Sequence, residues 1–306
     1  DGVQIDAFSR YEVETIVKKC PNGRSPCIDC VSYEDLKACW IEHAHIIVKI
    51  FNIVIINMRI PKKWKHAIIK RIPKKNFDTN DLSTLRDISL LPNLYKIFSK
   101  CLCNRLLPFI TEELGIWQGA YVKNRDRLEL IFTLMTEIED FKLKSTKFYV
   151  TFIDFADAFG SVNHEFIFET LRILHIPYVY CVIIEQLYRY SCFQVIMNQS
   201  LSNAFYIVRG TKTGDPLSAY IFIMVIDRIF KPIITTAMIS LNIHDEMDLN
   251  PFPVQCYADD VVIVTQSEES LNQMIESVEP IMNSANLEIK VSKSAIFYGR
   301  RSGNNW

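Results

Sequence analysis

The stretch "VQCYADDVVIVTQS", residues 254–267, constrains this chain more than any other. It sets two adjacent carboxylates, Asp259 and Asp260, between two apolar runs with the β-branched and aromatic texture of strands. Side chains alternate faces along a strand, so neighbouring acids point to opposite sides of a sheet unless a turn falls between them. Like charges this close also raise each other's pKa unless a cation compensates. A surface turn can hold both in water without any ligand. The pair alone therefore leaves two readings open, a solvated bend or a cation site at a strand end.

The 306 residues, 49% hydrophobic and 23% charged, describe a globular chain with room for a sizeable core and argue against disorder. The longest apolar stretch, "HIIVKIFNIVIINM" at 45–58, is broken by Lys49 and Asn52. It falls short of the roughly 18 residues of a membrane span, so it reads as a core helix and no membrane partner is expected. The chain opens on Asp1 and carries no signal peptide, which points to a piece of something longer. Nine cysteines without secretory features point to reduced thiols in an intracellular setting. Four of them, Cys20, Cys27, Cys30 and Cys39, cluster, but only Cys27 and Cys30 have zinc-site spacing, so free thiols in an irregular loop are preferred over zinc.

The net charge of −1 conceals a local asymmetry. "RIPKKWKHAIIKRIPKK", residues 59–75, carries eight Lys or Arg and no acid. Such a run is either a solvated face or a phosphate-binding surface, and Lys62, Lys63, Lys65, Lys70, Arg71 and Lys75 are its candidate nucleic-acid contacts.

Periodicity predicts a helix over 41–58, ended by Pro61, then a short strand in "AIIKRIP". Residues 88–110 read as one helix, and "ELIFTLMTEIEDF" as another. From 147 the texture changes: "KFYVTFIDF" reads as a strand, 164–174 as a helix, and "FQVIMN" with "AFYIVRG" as a hairpin. A helix opening near Pro216, paired strands over 254–265, a helix over 268–284 and a strand in "LEIKVSKSAIFYG" complete the pattern. That order suits an α+β fold, an antiparallel sheet backed by helices on one face.

Asp154 ends its own strand just before a helix. If that strand lies beside the 254–265 hairpin, Asp154 and Asp259 converge at the strand ends, a hard-oxygen site suited to Mg²⁺. Two such ions could activate an attacking hydroxyl and stabilise a leaving phosphate oxygen. Gly210 and Gly214 bracket "GTKTGDPLS", a turn that lets backbone approach a ligand closely or simply joins a strand to a helix.

"FIDFADAFGSVNHE", "RGTKTGDPLSAYIF", "CYADDVVIV" and "LEIKVSKSAIFYG", in that order, resemble the successive palm motifs of reverse transcriptases. "TLRDISLLPNLYKIFSKCLCNRL" and "WQGAYVKNRDRLELIF" resemble the fingers motif and the segment after it in the non-LTR (LINE-type) retrotransposon enzymes, and "DGVQIDAF" resembles the start of that domain. The resemblance covers nearly the whole chain, least over 11–40. It implies a right-hand polymerase fold: residues 1–146 a mostly helical fingers subdomain with an irregular Cys-containing insert at about 11–40, 147–299 the palm, 300–306 a tail, and the thumb largely absent.

Carried over residue by residue, the resemblance implies that Asp154, Asp259 and Asp260, with the backbone carbonyl of Phe155, bind two Mg²⁺ ions, Mn²⁺ being a substitute. Phe159 matches the bulky position that blocks a ribose 2′-hydroxyl. Lys74 and Arg86 match residues that grip the incoming deoxynucleoside triphosphate, and Thr213 and Gly214 lie where the family lines the nascent base pair. Lys293 matches a lysine thought to protonate departing pyrophosphate. The implied partners are an RNA template, a DNA primer and dNTP, within a longer polyprotein supplying endonuclease and thumb, in nucleus and cytoplasm.

Several positions depart from the family. Gly160 stands for a usual Asp, Thr213 for Gln, Ala219 and Asp87 for Pro, and Asn124 for Gly. These changes keep two other readings open: a degenerate element copy that only binds nucleic acid, or another palm polymerase such as an intron maturase or a telomerase.

Overall fold

A computed structural model describes residues 5–73, 85–197, 200–241 and 252–300, the side chains of 86 and 239–241 excepted. Helices α1 (Arg10–Lys19), α2 (Tyr33–Ala38) and α3 (Trp40–Asn57) come first, then a 3-10 turn (Lys62–Lys65), strands β1 (His66–Pro73) and β2 (Leu85–Leu90), and helices α4 (Asn93–Glu113) and α5 (Arg127–Leu143). Strand β3 (Phe148–Ile153), helices α6 (Ala158–Ser161), α7 (His164–Ile173) and α8 (Tyr178–Tyr188), and strands β4 (Cys192–Met197), β5 (Ser200–Leu201) and β6 (Phe205–Tyr206) follow. Helix α9 (Pro216–Leu241), strands β7 (Val254–Tyr257) and β8 (Asp260–Thr265), helix α10 (Glu268–Ala285) and strand β9 (Ala295–Gly299) close the order. The fold is α+β. The chain forms two compact units, one of Asp1–Phe109 with Leu171–Ser218, the other of Ile110–Thr170 with Ala219–Trp306.

In the first unit an aromatic core forms where Phe8, Phe51, Trp64 and Phe98 pack with ring centroids 5.1 to 6.1 Å apart. Each such ring, fully buried, stabilises by roughly 1.5–3 kcal/mol. Arg105 lies over Phe8 at 3.9 Å and pairs with Glu12 at 2.8 Å, so a charged head is held at the edge of that core. Helix α3 turns Ala44, Ile47, Phe51 and Val54 into the core, although by length and composition alone it is long and apolar enough to cross a membrane. The stretch 20–39 is less irregular than its composition implies. Ser32 and Asp35 form a reciprocal capping box that starts α2, and Cys20, Cys27 and Cys39 each donate to a backbone carbonyl.

Three expectations from periodicity need correction. Residues 88–90 are not helical: they end β2, which pairs antiparallel with β1 in the register Ile68↔Leu90 and Lys70↔Ile88. Pro92 disfavours helical backbone before it, so α4 begins only at Asn93. Helix α8 lies over 178–188, where no helix was expected. The hairpin of β4 and β6 forms as expected, yet β4 also pairs parallel with β1, and the pair belongs to this mixed sheet.

The second unit contains the sheet β7-β8-β3-β9, antiparallel throughout. Phe148, Val150 and Val264 point from it to Phe141 on α5, and the Phe141 and Phe148 rings stack at 5.5 Å. Across the unit, Arg228 on α9 covers the Phe166 ring at 4.0 Å and donates to Thr170 Oγ1 on α7 at 3.0 Å.

Candidate functional site

The strand register brings the acids together. Ile153 is opposite Val261 and Tyr257 opposite Asp260, so Asp154 leaves β3 level with the two-residue turn, Ala258 and Asp259, that joins β7 to β8. Asp259 is half-buried inside that turn, whereas Asp260 opens β8 and is exposed. Burial first, then the charges of Asp260 and Asp154, push the Asp259 carboxyl above its usual range. Asp154 Oδ2 is buried and accepts no hydrogen bond among the described residues. Lys293 Nζ lies 3.8 Å from it, on a side chain 62% exposed.

The backbone of Asp154 is fixed from the chain's far end. Its N–H donates to Ser294 Oγ at 3.1 Å, its carbonyl accepts from Lys290 N–H at 2.7 Å, and Ala156 N–H donates to the Glu288 carbonyl at 2.9 Å. Phe155 makes a bridge to Ile289 in the same run. Ser294 and Lys290 were not singled out by sequence, because neither carries chemistry of its own. Phe159 stacks on Phe222 of α9 with centroids 4.0 Å apart, a half-buried wall in the same unit as the acids. A Cβ on Gly160 would meet the Asp157 carboxylate at 2.2 Å, so Asp157 fills the space beside the position where the family usually has an acid.

The other expected residues belong to the first unit. Thr213 and Gly214 are exposed in the turn before α9. The Thr213 carbonyl accepts from Ser89 N–H at 3.3 Å, and Gly214 has φ +93° with room for only a tight Cβ, 3.1 Å from the Ser89 carbonyl. Beneath that turn Asp215 is buried and accepts from the hydroxyls of Tyr95 and Ser99. Lys212, also buried, donates to the Leu187 carbonyl at 2.5 Å, and burial lowers its ammonium pKa to about 8.

Lys62, Lys63 and Lys70 are exposed, while Lys65 donates to Gln186 and to the Arg189 carbonyl, and Arg71 pairs with Asp87 at 3.1 Å. Arg86 lies in β2 opposite Ile72. Lys74 and Lys75, with the Arg86 side chain, fall outside the described residues.

Among the described residues no group of three or more His, Cys, Asp or Glu side chains is disposed to hold a metal ion. The acidic pair still fits a divalent cation by its chemistry. Two hard oxygen donors meet here: Asp154 has a buried oxygen that accepts no hydrogen bond among the described residues and has the exposed Lys293 near it, and Asp259 is raised by burial and then by its negative neighbours.

Residues 72–304 match the family described as Reverse transcriptase (RNA-dependent DNA polymerase), and the chain belongs to that family. Its relatives include RNA-directed DNA polymerases of non-LTR retrotransposons. Over 99% of its length it is 23% identical to the RNA-directed DNA polymerase from mobile element jockey of Drosophila melanogaster, of which it covers 33%. Over 83% it is 24% identical to the retrovirus-related Pol polyprotein from type-1 retrotransposable element R2 of Nasonia vitripennis, of which it covers 24%. It thus spans no more than about a third of either protein. Among solved structures, apo telomerase from Candida Tropicalis superposes with a TM-score of 0.56 at 12% identity, over 80% of this chain and 52% of that one, a likeness of fold.

Proposed function

We propose that this chain is the fingers and palm of a retrotransposon RNA-directed DNA polymerase, with residues 1–146 as fingers, 147–299 as palm and 300–306 as a tail. It extends a DNA primer on an RNA template, in a longer parent protein that supplies thumb and endonuclease. The observation that carries this reading is the meeting of Asp154 and Asp259 at the ends of paired strands, with a buried carboxylate oxygen that accepts no hydrogen bond among the described residues.

The primer 3′-hydroxyl attacks the α-phosphate of a deoxynucleoside triphosphate in line, and pyrophosphate leaves. Asp154 and Asp259, with Asp260 and the Phe155 carbonyl beside them, would hold the divalent cations, Mg²⁺ or Mn²⁺, that activate the hydroxyl and neutralise the departing charge. Catalysis of this kind is mostly positioning and charge placement. Lys293, exposed and 3.8 Å from Asp154, would supply the proton donor for the leaving group. Phe159, held flat against Phe222, is the rigid wall that excludes a 2′-hydroxyl. Lys74 and Arg86 grip the triphosphate, while Thr213 and Gly214 border the base pair. Lys62, Lys63 and Lys70, all exposed, with Lys65, Arg71 and Lys75, face the duplex phosphates.

Primer extension on an RNA template with Mg²⁺, run beside Asp259→Asn, tests the reading. Extension by the unaltered chain, abolished in the variant while RNA binding holds, is the expected outcome. RNA binding with no extension from either, in the full-length parent as well, would make the chain a remnant that only binds nucleic acid.

A further inference from the structure

We propose that Gln118 is the positioning residue that sets the turn carrying Asp259. This rests on the reading of Asp154 and Asp259 as a cation site. Gln118 is fully buried, in the second unit with both acids. Its Oε1 accepts from two backbone donors, Ala120 N–H at 3.0 Å and Ala258 N–H at 3.1 Å. Two donors demand an oxygen, which fixes the orientation of the amide. Its Nε2 makes no hydrogen bond among the described residues, so the acceptor end is the part in use.

Ala258 needs that bond. It is the first residue of the turn and has φ +57°, left-handed backbone that a residue with a Cβ adopts only where its surroundings impose it. Its N–H is buried, 140 residues from the glutamine that accepts it.

The segment bearing Gln118 is itself fixed. Cys256 N–H donates to the Trp117 carbonyl at 2.8 Å and Gly119 N–H to the Cys256 carbonyl at 2.9 Å, so 117–119 run parallel to β7 as an added edge. Arg125 Nη1 donates to the carbonyls of Gly115 and Gln118 at 2.6 and 3.0 Å, and Gly115 N–H donates to Asp227 of α9 at 3.0 Å. A continuous line of hydrogen bonds thus runs from the long helix through 115–118 to the residue before Asp259.

The test compares the full chain with Gln118→Ala and with Gln118→Glu, which keeps an acceptor oxygen of the same reach. Gln118→Asn, one methylene too short, serves if the alanine form does not fold. In Gln118→Ala, hydrogen exchange at the Ala258 amide should quicken by about tenfold or more while Ile263 in β8 stays protected. Mn²⁺ affinity, read by electron paramagnetic resonance, should weaken by about 10-fold, and the Mg²⁺ midpoint of primer extension should rise in step. The turnover rate should fall by about 10- to 100-fold with KM for dNTP and RNA affinity unchanged. Gln118→Glu should restore the Ala258 protection. Unchanged exchange at Ala258, or faster exchange with an unmoved Mn²⁺ affinity and Mg²⁺ midpoint, overturns the role of Gln118 alone. Failure of the unaltered chain both to bind Mn²⁺ and to extend a primer overturns the cation-site reading, and the positioning role with it.

Discussion

At the scale of single residues, the buried polar groups of this chain divide into those with a structural duty and those whose environment is unfinished. Glu137 on α5 is buried, accepts from Phe252 N–H at 2.7 Å and from Gln255 Nε2 at 3.3 Å, and is raised by burial to a pKa of about 7. A carboxyl raised in the folded state binds its proton more tightly there than in the unfolded chain. Its favourable contribution is therefore complete below the ordinary carboxylate range and lost as pH rises through about 7. Urea unfolding should show Glu137→Gln more stable than the unaltered chain above pH 7, by on the order of 2 kcal/mol, with a flatter pH slope between about 5 and 7. An identical slope in both would remove Glu137 from that role. Asp215 is the contrasting case, since Tyr95 and Ser99 both donate to it. Tyr95→Phe leaves a buried acceptor short of a donor and should cost about 1–3 kcal/mol in the same measurement.

At the scale of elements, turns and registers place the candidate chemistry. Gly214 sits at φ +93° against the Ser89 carbonyl, where any Cβ is both strained and crowded. Gly214→Ala should therefore destabilise by about 1–3 kcal/mol, read as a fall in Tm, and a neutral result would mean the turn before α9 is free to shift. The same elements mark how far sequence reaches. Strand β3, the β7-β8 hairpin, α5, α9 and α10 are legible because their apolar spacing or β-branched texture persists over a whole element. The three acids were legible for the same reason, since Asp154, Asp259 and Asp260 each sit beside an unmistakable strand. Residues 88–90 failed because Ile88, Leu90 and Leu91, just before Pro92, fit either period, and pairing with β1 decided the matter. Helix α8, "YVYCVIIEQLY", is an almost unbroken apolar run with no polar face to reveal its period. The parallel pairing of β4 with β1 joins residues more than a hundred positions apart, which no local pattern encodes. Gln118 left one faint trace, a polar residue in the apolar run "IWQGAYV", and its use emerged only from its partner, Ala258.

At the scale of the molecule, the chain belongs to the reverse transcriptase family, and the proposed polymerase reading places the departures Gly160 and Thr213 among the residues that would bear on activity. The basic surface gives a graded prediction. Lys62 and Lys63 are exposed, whereas Lys65 and Arg71 already have partners within the protein. Replacing Lys62 and Lys63 together by Gln should reduce the slope of log affinity for RNA against log salt by roughly 1 to 2, with little change in Tm. Lys65→Gln should lower the Tm and change the slope less.

The most direct test of the central claim, that Asp154 and Asp259 are two walls of one cation site, is a Mn²⁺ titration of the unaltered chain, Asp154→Asn, Asp259→Asn and the double variant. Each single change should weaken binding by about 10-fold or more, and the double should weaken it by much less than the product of the two, since either loss disables the same site. Losses that multiply independently, or a single variant that binds Mn²⁺ as well as the unaltered chain, would contradict it.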